Sequence, residues 1–270
     1  MIARPRRIQR RTVARWAILI LIGGYLLLPL VAMLDFSTRG PGGQRTLDAW
    51  IAIGDDDDLI ESIIVSLEIA ALTVLGVLLL LIPTMTWAYL KVPSMKRPIE
   101  FLCLLPLAIP AIVLVVGIAP IYSIIRRNAT GSPLALVLID IILVLPFVHR
   151  AIDAGLRSID VATLSEAARS LGAGWPRVIA QIIVPNMRGA ILSAAVITVA
   201  LVLGEFTISS LLNYDTVQVV INLLGKRNAF VAVAVSLGAL VFAFFLILAL
   251  ASVTPTGLRS AEEPITGEAS

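Results

Sequence analysis

Six long apolar segments dominate this sequence, and each is long enough to cross the hydrocarbon core of a bilayer as an α-helix. The chain is 59% hydrophobic and only 14% charged, whereas soluble domains carry about 25% charged residues. So much apolar surface cannot be buried inside one soluble domain of 270 residues. The sequence therefore predicts an all-α integral membrane protein. The predicted spans are residues 16–34, 62–88, 99–122, 133–149, 187–212 and 229–253.

The positions of the basic residues predict the orientation of these spans. Six spans place both termini on one side, and 15 of the 21 Lys and Arg residues fall on that side. Because basic residues concentrate in cytoplasmic segments, we expect both termini in the cytoplasm. The expected organisation is a basic N-terminus at 1–15, a six-helix transmembrane domain at 16–254 and a polar cytoplasmic tail at 255–270. A cleaved signal peptide is the alternative for the first span, but its apolar run exceeds the usual length and lacks a clear cleavage site.

Catalytic and metal-binding patterns are missing from the sequence. Gly225-Lys226 lacks the upstream glycine and the following Ser or Thr of a phosphate-binding loop. One cysteine, Cys103, and one histidine, His149, cannot build a metal-ligand cluster. We therefore expect no catalytic residue, metal site or cofactor in this chain, and we expect that it is not an enzyme. If the chain moves a solute uphill, the energy must come from a partner or from an ion gradient.

The segment 150–186 interrupts the apolar pattern and lies on the cytoplasmic side of the expected topology. Thr163 and Glu166 fit a capping box, which predicts a short helix from Leu164 to Leu171 with Thr163 as its N-cap. Gly172 follows at a position suited to the left-handed conformation that ends helices. The sequence Gly174-Trp175-Pro176 predicts a second helix start. So short a helix needs packing to persist, so this segment is a candidate docking site for another protein.

This segment resembles the cytoplasmic signature of binding-protein-dependent ABC importer permeases. That signature reads E-A-A, three residues, Gly, nine residues, then I-x-L-P. The chain carries Glu166-Ala167-Ala168, Gly172 and Ile182-Ile183-Val184-Pro185 at the same spacing, with Val184 in place of Leu. The upstream residues Pro146, Phe147, Arg150, Leu156 and Asp160 also resemble the family's approach to the motif. Six spans, the expected orientation and the length suit the family as well.

The resemblance implies the type I importer permease fold, in which the short helix is a coupling helix set into a groove of a cytoplasmic ATPase dimer. ATP would be bound by that partner. Further implied partners are a second permease subunit, expected to be a different sister chain, an extracytoplasmic substrate-binding protein and the lipid of a bacterial inner membrane; no nucleic acid is expected. The residues assigned to coupling are Glu166 for a polar contact, Ala167 and Ala168 for close packing, Arg169 for a charged rim contact, Gly172 for the turn, and Pro185 at the end of the motif.

Three acidic residues lie inside predicted spans: Glu68, Asp140 and Glu205. Ionisable residues inside a membrane are costly, so each is a functional hypothesis by default. Their depths place all three in the outer part of the membrane, where they could form an acidic vestibule that favours a cation. The alternative is that each carboxylate only bonds to a backbone or hydroxyl group of a neighbouring helix.

The substrate is less constrained than the function class. The segment 203–212, LGEFTISSLL, resembles the fifth-span region of permeases in the spermidine/putrescine branch, and iron, thiamine, molybdate and sulfate permeases carry similar sequences there. A polyamine agrees with the acidic residues and is the preferred expectation. Two other classes stay open: an ion-gradient-driven secondary transporter, which often has repeated halves, and a membrane enzyme or scaffold.

Overall fold

The computed structural model describes residues 6–40, 42–128 and 134–252. Every regular element in these ranges is helical. The α-helices are α1 Arg6–Ser37, α2 Asp48–Gly54, α3 Asp57–Leu90, α4 Lys96–Leu104, α5 Ala111–Asn128, α6 Leu134–Arg157, α7 Val161–Ser170, α8 Trp175–Val178, α9 Val184–Asn186, α10 Arg188–Leu203, α11 Thr207–Leu211, α12 Val217–Arg227 and α13 Ala229–Ser252. Short 3₁₀ turns cover Pro93–Met95 and Leu105–Ala108, and a π-helical turn covers Ile179–Ile183. The predicted tail at 255–270 and the first five residues of the basic N-terminus lie outside the described residues.

Among the described residues, four helices are long and apolar enough to cross a membrane: Arg15–Ser37, Asp57–Leu90, Ala135–Arg157 and Ala229–Ala249. Two bent helix pairs raise the number to six if each pair counts as one span. The all-helical membrane fold expected from the sequence is therefore confirmed, with at least four candidate spans.

The predicted third span, 99–122, is not one continuous helix. Two pieces, Pro93–Ala108 and Ala111–Pro120, meet at an angle of 108°. The break falls at Ile109, which has extended backbone angles (φ −103°, ψ 121°). Ile109 precedes Pro110, and the proline ring disfavours the helical conformation in the residue before it. Pro110 is thus a helix boundary and not merely a proline tolerated within a span.

The predicted fifth span, 187–212, is also interrupted. The helix α10 ends at Leu203 with Gly204 as its C-cap, and α11 begins only at Thr207. Gly204 has low helix propensity, and the Glu205 carboxylate accepts a hydrogen bond from the N–H of Ile208 at 2.7 Å. Both features favour a stop followed by a new start. At its N-terminal end, α10 meets the segment Trp175–Asn186 at an angle of 81°.

Contacts divide the chain into two compact units, and the first combines residues up to 66 with residues 209–243. Its core contains Leu59 of α3, Val217 and Val220 of α12 and Val231 and Ala234 of α13. The last turn of α1 is anchored here, because Phe36 stacks on Phe230 with ring centroids 4.9 Å apart. The Trp50 indole N–H also donates to the Ser37 hydroxyl at 3.2 Å. The apolar stretch of α1 before this turn is exposed.

The second unit comprises residues 67–208 and the end of α13, and it contains the functional candidates. Buried side chains of α3 and α6 supply much of its core, among them Val77, Leu81, Val144, Val148 and Ile152. The two helices touch at Gly76, where an added β-carbon would lie 2.6 Å from Ile141 Cδ1. They touch again at their C-terminal ends, where the Tyr89 hydroxyl donates to Asp153 Oδ1 at 2.6 Å. From the first contact to the second, the residue numbers increase along both helices, so α3 and α6 run parallel.

Candidate functional site

Helix α7 begins at an aspartate cap. Asp160 is its N-cap: Oδ1 accepts from the N–H of Thr163 at 3.1 Å, and Oδ2 accepts from the Thr163 hydroxyl at 2.7 Å. These hydrogen bonds, with that of the hydroxyl first, hold the pKa of Asp160 below its usual value. The carboxylate thereby satisfies one of the free N–H groups of the first turn.

The predicted capping box of Thr163 and Glu166 is therefore wrong. The helix starts at Val161, so Thr163 occupies the third helical position and is a donor to the cap. Asp caps helices as well as Thr does. Asp160 also accepts a hydrogen bond from the Thr163 hydroxyl, whereas in a threonine cap that hydroxyl would accept a hydrogen bond from a backbone N–H of the first turn. Glu166 consequently lies in the second turn, with an exposed side chain.

The other end of α7 follows the sequence prediction. Gly172 has a left-handed backbone (φ 87°), as expected from its position. Its N–H donates to the carbonyl of Arg169 at 2.9 Å, and the N–H of Ala173 donates to that of Ala168 at 3.1 Å. Those two bonds form a Schellman motif. An added β-carbon at Gly172 meets no atom within 4 Å, so only the backbone conformation favours glycine here.

The faces of α7 differ in exposure. Val161 and Ser165 are buried, so this side holds the helix on its own unit. Glu166 and Ala167 are exposed, and Ala168 is half-buried. Arg169, Gly172 and Pro185 of the expected coupling set are exposed as well.

Leu171, the C-cap of α7, is a residue that sequence reasoning missed. Its side chain is 89% exposed. A single exposed apolar side chain is common on protein surfaces. Leu171 is a candidate for a contact with another molecule because it follows the exposed residues Glu166 and Ala167 of α7. The available signal was a leucine directly before the helix-ending glycine.

The connection from α7 to α10 contains a second special conformation. The π-helical turn Ile179–Ile183 precedes Pro185, and π-turns inside helices are frequent at functional sites. The direction changes at Met187, which leaves the helical conformation (φ −106°, ψ 12°) and is buried. Gly155 of α6 faces this bend: an added β-carbon would lie 3.0 Å from Met187 Cε and 2.5 Å from Ala190 Cβ.

The three acidic residues of the predicted spans separate into two that lie near each other and one that lies apart. Asp140 of α6 is only 4% exposed, and its Oδ1 has no hydrogen-bond partner among the described residues. Glu205 lies close enough to repel it electrostatically. The contact between Gly155 and Ala190 joins the C-terminal part of α6 to the N-terminal part of α10. Glu205 lies just past the other end of α10, so an antiparallel arrangement of the two helices agrees with its proximity to Asp140. Glu68, by contrast, lies on an exposed face of α3.

Within the described ranges, no group of three His, Cys, Asp or Glu side chains could hold a metal ion. The described residues therefore offer a capped, exposed helix with an apolar tip, and a buried Asp140 near a half-buried Glu205, but no visible set of reacting groups.

Comparison with known protein families identifies the chain. Residues 82–256 match the family described as binding-protein-dependent transport system inner membrane component. The chain belongs to this family. It is thus a multi-pass membrane component of a binding-protein-dependent ABC transport system. The matched region includes α7, Trp175, Asp140 and Glu205, whereas Glu68 precedes it. A search among curated proteins found no match.

Proposed function

We propose that this chain is one permease subunit of an ATP-driven importer and that α7 is the coupling helix, through which a cytoplasmic ATPase dimer drives it. The observation that carries this proposal is the exposed face of a helix capped at both ends, with Leu171 89% exposed at its tip. A short helix of this kind needs packing to persist. One side of α7 packs on its own unit, and the other is available to the ATPase.

The proposed subunit has six spans, with each bent helix pair counted as one span. Its termini lie in the cytoplasm of a bacterial cell, as the distribution of basic residues favours. A second permease subunit, a sister chain of different sequence, completes the translocation path. A binding protein on the outer side delivers the substrate. The chain itself is not an enzyme, and ATP is bound and hydrolysed by the partner.

In this mechanism, closure of the ATPase dimer displaces α7 and switches the bundle between inward and outward openings. Only contacts that differ between the two states can transmit that bias. Glu166 supplies a polar contact, Ala167 and Ala168 allow close approach, and Arg169 lies at the rim. Gly172 fixes the turn, and Pro185 ends the segment. The apolar tip at Leu171 adds an anchor to this set.

The experiment is purification of the tagged chain from its host without stripping partners. An ATPase should copurify, and Glu166→Lys should lower transport and stimulated ATP hydrolysis while the chain still inserts. Glu61→Lys, at another exposed glutamate on α3, is the matched control and should leave both unchanged. Unchanged coupling in Glu166→Lys would contradict the role of this residue. Robust transport by the isolated chain without any ATPase would instead favour an ion-gradient-driven transporter.

The proposed substrate is a polyamine such as spermidine or putrescine. Support comes from the acidic residues: Glu68 is exposed on α3, where a passing cation could reach it, and Asp140 lies near Glu205. Carboxylates in an apolar environment favour cationic partners. Thiamine, iron, molybdate or sulfate are the alternatives.

A thermal-shift screen of the partner binding protein tests the substrate. Spermidine and putrescine should raise its melting temperature, whereas thiamine, ferric iron, molybdate and sulfate should not. A response to an oxyanion without a response to polyamines would overturn this choice and leave the permease assignment untouched.

A further inference from the structure

The indole ring of Trp175 lies close to cations from two different elements. The guanidinium carbon of Arg169, in the last turn of α7, is 4.6 Å from the ring centroid. The ammonium nitrogen of Lys91, the residue after α3, is 5.2 Å from it. Both distances fall within the range of cation–π attraction, and Trp is the best ring for it. One side chain thus joins the C-terminal end of α7 to the C-terminal end of α3.

The local backbone brings the ring to this position. After the left-handed Gly172, Gly174 is extended (ψ 162°) and Pro176 fixes the first turn of α8. The chain therefore reverses within a few residues and returns Trp175 to Arg169. Neither Arg169 nor Lys91 has a carboxylate within ion-pair distance among the described residues. The aromatic ring is the partner that both cations share.

A second junction holds the same end of α3 against α6. Asp153 accepts from the Tyr89 hydroxyl at 2.6 Å and from Arg157 Nε at 2.8 Å. Lys96 Nζ lies 3.5 Å from the centroid of the Tyr89 ring. The end of α3 is thereby fixed to α6 by Tyr89, and two residues later it is attached to α7 through Lys91 and Trp175.

We propose that Trp175 is a positioning residue that transmits the displacement of α7 to α3. This inference rests on the proposed docking of α7 on an ATPase. The covalent path from α7 towards α10 passes through the π-helical turn and the bend at Met187. In the other direction, residues 158–160 join α7 to α6, which contacts α3 through Asp153 and Tyr89. Trp175 is the contact that joins the C-terminal end of α7 to α3. Because α3 is one helix from Asp57 to Leu90 with Pro83 inside it, the proposal requires that a displacement of its end be carried past Pro83 to its membrane portion.

The variants separate the aromatic contact from mere apolar packing. Trp175→Leu keeps an apolar side chain and removes the ring, Trp175→Phe keeps a weaker ring, and Lys91→Met keeps the stem and removes the cation. Lys91 is exposed, so its variant should fold even if Trp175→Leu does not. The readout uses a Cys103→Ala background with Ala71→Cys, since Ala71 lies on the exposed face of α3.

The experiment compares labelling of that cysteine by a membrane-impermeant maleimide, with and without ATP plus vanadate, in vesicles that contain the assembled permease and ATPase. Nucleotide should change the labelling rate when Trp175 is present. Trp175→Leu and Lys91→Met should each reduce this change by about fivefold, and Trp175→Phe should restore most of it. Trp175 and Lys91 form one contact with each other. The double variant Trp175→Leu with Lys91→Met should therefore reduce the nucleotide-dependent change no further than either single variant does. The amount of copurified ATPase should stay constant.

Two outcomes would overturn the role of Trp175 while leaving the proposed function standing. These are a full nucleotide-dependent change in Trp175→Leu, and additive effects of the two variants. If the ATPase does not copurify with the unmutated chain, both the proposed function and this inference are wrong. If it copurifies but nucleotide leaves the labelling rate unchanged in the presence of Trp175, this inference is wrong and the proposed function stands.

Discussion

Leu171 and Asp140 break the usual rule of burial in opposite directions. Leu171 is an apolar side chain that is 89% exposed, whereas Asp140 is an acidic side chain that is 4% exposed. Among the described residues, Asp140 Oδ1 has no hydrogen-bond partner, and Leu171 is almost fully outside the packed side of α7. Exposed apolar surface is relieved by a protein surface, and a buried carboxylate is relieved by a cation or a hydrogen-bond donor. Under the proposed function, partner contact and substrate contact would fall in different parts of one unit.

Gly155, which lies in the contact between α6 and α10, gives the largest expected effect. The change is Gly155→Val, whose β-carbon would lie 2.5 Å from Ala190 Cβ. Because backbone must shift to accept it, we expect a loss of about 3 kcal/mol in the free energy of unfolding, seen as a lower midpoint of thermal unfolding in detergent. Adding Ala190→Gly should restore part of this loss.

Gly24→Ala is the control, since an added β-carbon there meets nothing within 4 Å. An unchanged midpoint in Gly155→Val would mean that α6 and α10 do not pack as closely as described. The antiparallel arrangement that agrees with the proximity of Asp140 and Glu205 would then lose its support.

The exposed region is tested directly by Leu171→Asp. If Leu171 is a buried anchor in the complex, a charge at its position should weaken ATPase binding by about 2 kcal/mol, or about thirtyfold in Kd. The measurement is titration of the detergent-solubilised chain with the purified ATPase. Leu47→Asp is the matched control, because Leu47 is also well exposed (62%) and lies outside the family-matched region. Equal affinities of Leu171→Asp and the unmutated chain would remove Leu171 from the interface.

The buried region is tested by Asp140→Asn. The amide keeps the size of the side chain and removes one of two neighbouring carboxylates, so we expect a gain of about 1 kcal/mol in stability together with reduced spermidine uptake. Glu68→Gln, on an exposed face, should change stability little. A lower unfolding midpoint in Asp140→Asn would show that the Asp140 carboxylate has a stabilising partner within the fold. Asp140 would then not be a buried carboxylate that lacks a partner.

Local patterns predicted α7 only in part. The helix and its end at Gly172 follow from rules that act over a few residues, and the structure has both. The start was wrong because Asp160 and Thr163 are both good N-caps, three residues apart on the same side of a helix. Local sequence does not rank them; the tertiary position of Val161, which is buried in the first turn, adds to the preference for the earlier start.

Contacts between distant segments were beyond sequence reasoning. Lys91 and Trp175 are far apart in the chain, and their contact depends on how the end of α3 lies beside α8. The proximity of Asp140 and Glu205 depends on how α6 and α10 pack together, which cannot be predicted from a single sequence. The three acidic residues of the predicted spans could be found by composition, but not which two of them lie near each other.

The cap at Asp160, at the start of the exposed helix α7, gives the smallest expected effect. Hydrogen bonds from Thr163 lower the pKa of Asp160 in the folded chain. The cap therefore stabilises α7 fully above the unfolded-state pKa, about 3.9, and this stabilisation is lost as the pH falls through the lower folded-state value. Hydrogen exchange, corrected for intrinsic rates, should show less protection of amides 163–165 at a pH below the folded-state pKa of Asp160 than at pH 7. Asp160→Asn keeps an acceptor oxygen without titrating, so its protection should be independent of pH over this range. A pH dependence that persists in Asp160→Asn would assign the titration to another group and leave α7 capped by geometry alone.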